Sequence, residues 1–478
     1  MENPPIQSYG LGHWLSQSVS AKLLFIGVLV LLLLIPSSWI GSLIRERQSR
    51  QQSVVAEIGR KWSGPQVLGG PMLVLPYTTM VKVVVATGVE QLEERTQYLY
   101  LLPDELKVDA TTDTELLHRG IFDAAVYQAQ VKVDGHFGPV DLAKAELDGG
   151  QVQWEKARIA VGVGDLKGLK DSPVIHVAGE RYEPQTDFAN IGGFGQNLMV
   201  APKLTGELWE KLPFSFTLDL RGSEYLRFMQ LAKSTSISIA GNWPLPSFGG
   251  QFLPENREVT PEGFTAKWSV PYFSRQLPQQ WTAATATTIN QAWEEESDMT
   301  NTMYRDQLPV AIEGGNQLEA GAFGVLFLQP VDHYQKAERT AKYAILIILL
   351  TFVSLFFTEI IAKKRVHIIQ YLLIGAAMIV YYCLLLSFAE HVGFNVAYLI
   401  ASVATIVLVA TFIERLLRQR RTAMVFSGIL TLFYVFIFVI IQLQDMALLF
   451  GSIGLFITVA LLMHFSGRIN WQREEEGG

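Results

Sequence analysis

The sequence predicts a polytopic α-helical membrane protein of six spans, with a large mainly-β domain inserted between spans one and two. Three observations carry that reading. Uncharged apolar runs of spanning length stand near both ends of the chain. Charge is segregated: residues 45–338 hold 26 Lys and Arg against 37 Asp and Glu, and the rest of the chain holds 12 against 8. Within the acidic segment, short alternating apolar runs are punctuated by Gly, Pro, Asn and Asp, the pattern of strands and turns.

Composition bounds the answer. Of 478 residues, 49% are hydrophobic and 17% charged, with a net charge of −7. A soluble domain averages about 25% charged residues, and a disordered chain needs low hydrophobicity. Net negative charge argues against a nucleic-acid partner. One cysteine, Cys383, excludes an internal disulfide framework and a thiolate zinc cluster.

Taken in order, residues 1–22 read as a cytoplasmic tail. Residues 23–44 are uncharged, and a helix rising 1.5 Å per residue needs about 20 apolar residues to cross the hydrocarbon. No Ala-x-Ala site follows Pro36-Ser37-Ser38-Trp39, so this span reads as an uncleaved anchor. Residues 45–342 form the external domain. Its first part, Arg45 to Arg60, is polar and lacks Gly and Pro until Gly59, which predicts a helical extension of the anchor.

Strands are predicted at Val81–Val85, Gln97–Leu101, Val126–Val133, Arg158–Val163, Phe214–Leu220, Ser234–Ile239, Phe264–Val270 and Gly324–Leu328. Turns are predicted at Gly64-Pro65, Gly69-Gly70-Pro71, Gly241-Asn242-Trp243-Pro244 and Pro246–Gly250. The result is a sheet sandwich or open barrel large enough to bury a core without disulfides. Trp281 to Tyr304 reads equally as helix or loop.

Residues 343–465 read as a five-helix bundle with spans at 343–361, 368–389, 396–413, 423–441 and 446–465. Connectors this short force antiparallel neighbours. Residues 466–478 read as a second cytoplasmic tail. Lys363, Lys364, Arg365, Arg415, Arg418, Arg420, Arg421, Arg468 and Arg473 fall on one side of the spans. The opposite loops, Glu390–Asn395 and Gln442–Asp445, carry no Lys or Arg. Positive loops stay in the cytoplasm, so both termini are expected inside and the large domain outside.

The chemical motifs are sparse. Gly162-x-Gly164-x-x-x-Gly168 has the wrong spacing for a dinucleotide fingerprint and reads as a turn between strands. Ile191–Gly195 reads as a loop. No G-x-S-x-G elbow and no H-E-x-x-H occur. His118 and His136 share a region with Asp123 and Asp134 and can meet them across a hairpin, as surface pairs. Glu359, Glu390, Glu414 and Asp445 lie at span ends, where a carboxylate reaches the interface at small cost. No catalytic, cofactor-binding or metal-binding residue is assigned.

Two clusters are singled out. Trp243, Phe248 and Phe252, in a Trp- and Pro-rich stretch, are candidates for ligand or partner binding, since aromatics suit sugars and interfaces. The same stretch reads equally as a core-packed turn. Arg339, Lys342 and Tyr343 join the external domain to the bundle and are candidates for membrane-interface coupling, with the cations at lipid phosphates.

The chain resembles the bacterial inner-membrane family CreD, also called cell envelope integrity protein CreD. The resemblance is carried by Ser63-Gly64-Pro65-Gln66, Leu68, Gly70-Pro71, Pro76, Leu102-Pro103, Leu106, Arg119-Gly120-Ile121-Phe122 and Val126-Tyr127. It continues through Asn242–Phe248, Phe252-Leu253-Pro254, Pro330–Tyr334, Arg339, Lys342-Tyr343-Ala344 and Gln370–Gly375. Where the family usually has a histidine between the prolines of the Trp motif, this chain has Leu245. The resemblance implies a bacterial inner-membrane protein with a periplasmic domain, acting in envelope integrity and envelope-stress response, with no established catalytic residues.

The functional expectation is a non-enzymatic protein whose β domain binds an envelope component: a periplasmic or inner-membrane protein, a lipid or cell-wall glycan. A transporter or lipid-handling subunit is one alternative, and a periplasmic cell-wall hydrolase with an unmarked carboxylate pair is another.

Overall fold

The computed structural model describes residues 19–84, 90–145, 147, 149–187, 196–205, 209–275, 277–282, 321–327, 333–362, 364, 366–443 and 446–466. Contacts divide the chain into two units, Met1–Gln52 with Val331–Gly478, and Ser53–Pro330.

The described helices are α1 (Val19–Trp62), α2 (His333–Lys342), α3 (Ala344–Ala362), α4 (Ile368–Val392), α5 (Phe394–Leu417), α6 (Arg420–Gln442) and α7 (Ala447–Ser466). Five are long and apolar enough to cross a membrane: α1 from Lys22 onward, α3, α4, α5 and α6. The anchor and its predicted extension are one helix of 44 residues. Helix α4 buries Tyr371, Ile374, Gly375, Met378, Tyr381, Tyr382, Leu385, Leu386 and Ala389, spaced by one, three or four residues along one face. Its other face exposes Leu372, Leu373 and Val380. A helix apolar on both its packed and its exposed faces fits a lipid surround.

The hairpin joints are tight because single residues turn the chain. Gly393 separates α4 from α5 at φ 79°, a conformation that side chains resist. Arg418 ends α5 in the left-handed region, its N–H donating to Glu414 O at 2.9 Å. The Arg420 Nε donates to Glu414 Oε1 at 2.9 Å across the same joint. Helix α4 starts on His367, whose Nδ1 accepts from the Ile369 N–H while Gln370 Oε1 accepts from the His367 N–H.

The second unit is mainly β. Its strands are β1 (Gln66–Val84), β2 (Glu90–Leu101), β3 (Glu105–Arg119), β4 (Phe122–Phe137), β5 (Gln151–Val152), β6 (Arg158–Val163), β7 (Ile175–Val177), β8 (Glu180–Tyr182), β9 (Gln185–Asp187), β10 (Asn197–Val200), β11 (Leu212–Ser223), β12 (Tyr225–Met229), β13 (Ser234–Gly241), β14 (Pro246–Gly250), β15 (Asn256–Thr260), β16 (Gly263–Pro271), β17 (Gln280–Thr282) and β18 (Ala322–Phe327). One sheet runs β14-β18-β12-β1-β6-β10-β9, with β2 and β5 on β1 and β17 on β2. The other runs β15-β16-β13-β3-β4-β11-β7-β8. Two pairings are parallel, β1 with β12 and β13 with β3, and the other described ones are antiparallel.

Period-two alternation explains the sandwich. In β3, Leu106, Val108 and Ala110 turn inward while Glu105, Lys107 and Asp109 face out or lie at the rim. They share one core with Leu73, Leu75 and Ile159 of the first sheet and Val131, Phe216 and Trp268 of the second. Each such large side chain contributes about 1.5–3 kcal/mol on burial.

All eight predicted runs lie in strands, apart from Val85 and Leu328, which fall outside the described residues. Two predicted turns are corrected. Gly69-Gly70-Pro71 lies inside β1, where the register with β6 shifts between Gly69 and Met72. It is a bulge, and a Cβ at Gly70 (φ 98°) would meet Ala160 O at 2.9 Å. Pro246–Gly250 is β14, an edge strand on β18, a position where proline's missing N–H costs no ladder bond. Trp281 lies in β17, stacked on Tyr100 at 5.4 Å, whereas residues 283–304 and Ile191–Gly195 lie outside the described residues.

The entry to the sheets is pinned by Gln66, which is fully buried. The two hydrogens of its Nε2 are shared among three acceptors, Ser63 Oγ, Asp165 O and Arg221 O, each at 3.0 Å, and its Oε1 accepts from the Asp165 N–H at 3.2 Å. Replacing Gln66 by leucine keeps the volume but strips these buried groups of their partner. The expected result is a loss of about 2–3 kcal/mol, read as a lower denaturation midpoint. An unchanged midpoint would show that the neighbouring groups find other partners.

Candidate functional site

The helical unit sorts its polar side chains into three levels along α4. At about 1.5 Å per residue, this helix of 25 residues is about 37 Å long.

At the first level, near Ile368, a carboxylate is enclosed. Glu359 of α3 accepts from Lys22 of α1 through Oε1, and from the Tyr371 O–H through Oε2 at 3.1 Å. The Val366 N–H also donates to Oε1, at 3.0 Å, and Lys22 Nζ donates to Val366 O at 3.0 Å. Lys22 Nζ lies 5.7 Å from the centre of the Tyr371 ring. The Lys22 and Glu359 side chains are 12% and 10% exposed. Glu359 is thus enclosed at the span end where the sequence puts it, and its cation among the described residues is Lys22, 337 residues away. Full hydrogen bonding is what makes a buried charge pair tolerable.

At the second level, Tyr381 and Tyr382 of α4 meet Tyr398 of α5 and Tyr434 of α6. Ring centres lie 4.9 Å apart for Tyr381–Tyr382 and Tyr381–Tyr434, and 6.1 Å for Tyr381–Tyr398. The Tyr398 O–H donates to Tyr434 O at 2.7 Å. All four are buried, as are Ser402 and Thr405.

The third level is a polar collar at the Val392 end. The Tyr334 O–H donates to Glu390 Oε1 at 3.0 Å, and Arg47 Nε lies 3.9 Å from the same oxygen. Lys336 Nζ donates to Gln442 Oε1 at 3.0 Å, and Gln442 Nε2 donates to Asn395 Oδ1 at 2.7 Å. Glu338 receives Lys342 at 3.5 Å and Arg45 at 3.9 Å. The buried face of α2 is Tyr334, Ala337 and Thr340, spaced by three, so its charged residues fall on the rim.

The predicted coupling residues belong to this collar. Lys342 is exposed and paired with Glu338, while Arg339 and Tyr343 are half-buried, with the Tyr343 N–H donating to Arg339 O. The structure places Trp243, Phe248 and Phe252 at the sandwich core. Trp243 is 6% exposed. Phe248 packs edge-on to Phe264 and Trp268, and Phe252 edge-on to Phe323. The Trp268 Nε1–H donates to Phe252 O at 3.1 Å. Trp243 packs into the core beside a turn, while Phe248, in β14, and Phe252 pack against that core from partly buried positions.

His118 meets Asp123 at 2.6 Å across the β3–β4 hairpin, as expected, whereas His136 lies 3.6 Å from Glu105 rather than against Asp134. On the outer face of β3, β4 and β11 is an open depression of about 290 Å³, lined among others by Asp113, Gln128, Gln130, Lys170 and Asp219. Its polar groups are mutually engaged: Gln130 donates to Asp219, Lys170 to Gln128, and Asn242 to Asp113. Among the described residues no group of His, Cys, Asp and Glu is arranged to hold a metal ion.

Sequence reasoning missed the Lys22–Glu359 pair and the tyrosine cluster. The first had a signal. Lys22 ends the charge-free first run, and Glu359 nears the end of the second, so antiparallel spans bring the two to one level. The second had only the Tyr381-Tyr382 pair, since helix rotation decides what joins it.

Known proteins give this geometry a context. A family model described as "Inner membrane protein CreD" matches residues 18–472. The chain is 30% identical over 447 residues to the inner membrane protein CreD of Escherichia coli strain K12, covering 92% of this chain and 91% of that one. Among solved structures, an M1 zinc metallopeptidase from Deinococcus radiodurans matches with a TM-score of 0.19 at 11% identity, over 36% of this chain and 41% of that one. Yeast LTA4 hydrolase matches at 0.16 and 7% identity, over 37% and 27%. Scores this low assign neither fold nor function.

Proposed function

The chain belongs to the CreD family of inner membrane proteins, and from that premise we propose that it is a non-enzymatic envelope-integrity protein whose β domain holds an envelope component. It is a multi-pass protein of the inner membrane. In the proposed arrangement α7 is the sixth span, both termini are cytoplasmic, and the β domain lies in the periplasm between spans one and two.

The observation that carries the reading is the distribution of polar groups between the two ends of the helical unit. Lys364, Arg415, Arg418, Arg420 and Arg421 stand at one end. At the other, the carboxylates Glu338 and Glu390 balance Arg45, Arg47 and Lys342 in the collar. Both sequence junctions of the β unit, at Gln52–Ser53 and Pro330–Val331, adjoin collar segments. Short loops rich in Lys and Arg remain cytoplasmic, and the opposite loops, Glu390–Asn395 and Gln442–Asp445, carry none, so in this arrangement the collar and the inserted domain face the periplasm. A folded sandwich with its own core then supplies surface for an envelope partner outside the bilayer.

Topology reporters test the arrangement. A reporter active only in the cytoplasm is expected to work when fused after Gln419 and at the C-terminus. One active only in the periplasm is expected to work after Glu390 and within the β domain. The reverse pattern would sink the proposal. The binding claim is tested by full-length protein in lipid nanodiscs offered muropeptides, phospholipids and solubilised envelope proteins. Saturable retention of one class supports it, and retention of none removes it.

A further inference from the structure

Two hydroxyls at the second level, those of Tyr382 and Tyr434, are buried without a hydrogen-bond partner among the described protein groups, beside those of Tyr381 and Ser402, which lie within reach of each other and of the Tyr398 hydroxyl. Tyr381, Tyr382, Tyr434 and Ser402 are 0%, 2%, 2% and 5% exposed. They come from three helices, α4, α5 and α6, and three of them are joined by ring contacts through Tyr381. Tyr381 lies about 20 Å along α4 from Ile368 and about 16 Å from Val392, so the cluster is deep in the bundle. Native interiors leave few buried polar atoms unsatisfied, and ordered water serves most of those that protein groups do not reach. Phenylalanine would fill nearly the same space without the oxygen. Two such tyrosines in one place, next to a third and a serine, therefore point to something that uses their hydroxyls.

We propose that this cluster is a hydrated binding site, in which water is held by the hydroxyls of Tyr382 and Tyr434 beside those of Tyr381 and Ser402. Lipid does not reach residues this buried. An ion is disfavoured because 368–389, 394–413 and 423–441 contain no Lys, Arg, Asp or Glu to balance it. A neutral hydrogen-bonding molecule fits, since phenol and serine hydroxyls both donate and accept. One buried water makes about three hydrogen bonds, so one or two waters satisfy the two unpartnered hydroxyls. The contrast is Tyr371 on the same helix, equally buried but satisfied by Glu359. The inference concerns the membrane bundle and does not rest on the envelope reading.

The test uses full-length protein in lipid nanodiscs. Microsecond X-ray footprinting generates hydroxyl radicals from water where it stands, and oxidises the side chains beside it. Tyr382 and Tyr434 are expected to gain oxygen well above the level of Tyr371. Labelling at the level of Tyr371 overturns the proposal. The variants Y382F and Y434F give an independent reading, each deleting one oxygen. In a hydrated site each lowers the melting temperature, by about 2–4 °C. In a dry core, deletion of an unsatisfied hydroxyl raises it, and a rise in both variants overturns the proposal whatever the labelling. Where a variant does not fold, the wild-type footprint alone decides.

Discussion

Glu359→Ala is expected to destabilise the helical unit by about 3–5 kcal/mol, the largest effect of any single change in the membrane region. The substitution leaves the Lys22 ammonium enclosed, 12% exposed, with Val366 O as its remaining acceptor. It also leaves the Val366 N–H and the Tyr371 O–H without their acceptor. Lys22→Met is expected to cost a similar amount, because the carboxylate then stays buried without its cation. The double variant K22M/E359L should recover most of the loss, since apolar replacement of a whole buried pair is neutral or stabilising. Thermal unfolding in nanodiscs measures this as a fall on the order of 10 °C for each single variant. Additive losses in the double variant would show that the two side chains act separately.

That pair shows where sequence reasoning reaches and where it stops. Hydropathy is a one-dimensional signal, so it placed the C-terminal apolar helices to within a few residues, whereas the first helix runs past the predicted 23–44 to Trp62. The helix α4, Ile368–Val392, begins at the predicted residue and ends three beyond the predicted 389. Alternation is equally local, and β6, Arg158–Val163, matches its predicted run at both ends. The parallel pairing of β13 with β3 was not legible, because it joins segments more than a hundred residues apart with similar patterns. Gly69-Gly70-Pro71 looked like a turn for the same reason. Local propensity favours one, and only the pairing of β1 with β6 on both sides of the bulge overrides it. Glu359 was placed by its position near a span end, because distance along the chain was the available guide. The tyrosine cluster depended on how α4, α5 and α6 are rotated about their axes, which apolar runs without a polar face do not specify.

Trp243→Ala is expected to unfold the β domain locally rather than to remove a ligand contact, at a cost of about 3–5 kcal/mol. Trp243 is 6% exposed and belongs to the core shared by both sheets, with Phe264 and Trp268 of β16 and Phe323 and Phe327 of β18. The residue before it fixes the turn. Asn242 Oδ1 accepts from the Thr114 N–H at 2.7 Å, and its Nδ2 donates to Asp113 Oδ1 at 2.6 Å, tying the end of β13 to β3. Removing the indole opens a void under this turn, and the cost is the lost burial plus the part of that cavity the surroundings leave unfilled. Trp243→Phe keeps most of the volume and is expected to lose less than half as much. Amide hydrogen exchange on the full-length protein distinguishes the readings. Faster exchange across β13, β16 and β18 marks Trp243 as a packing residue. Unchanged protection with lost capture of an envelope component would restore it as a binding residue and would place the ligand against the Asn242–Pro244 turn.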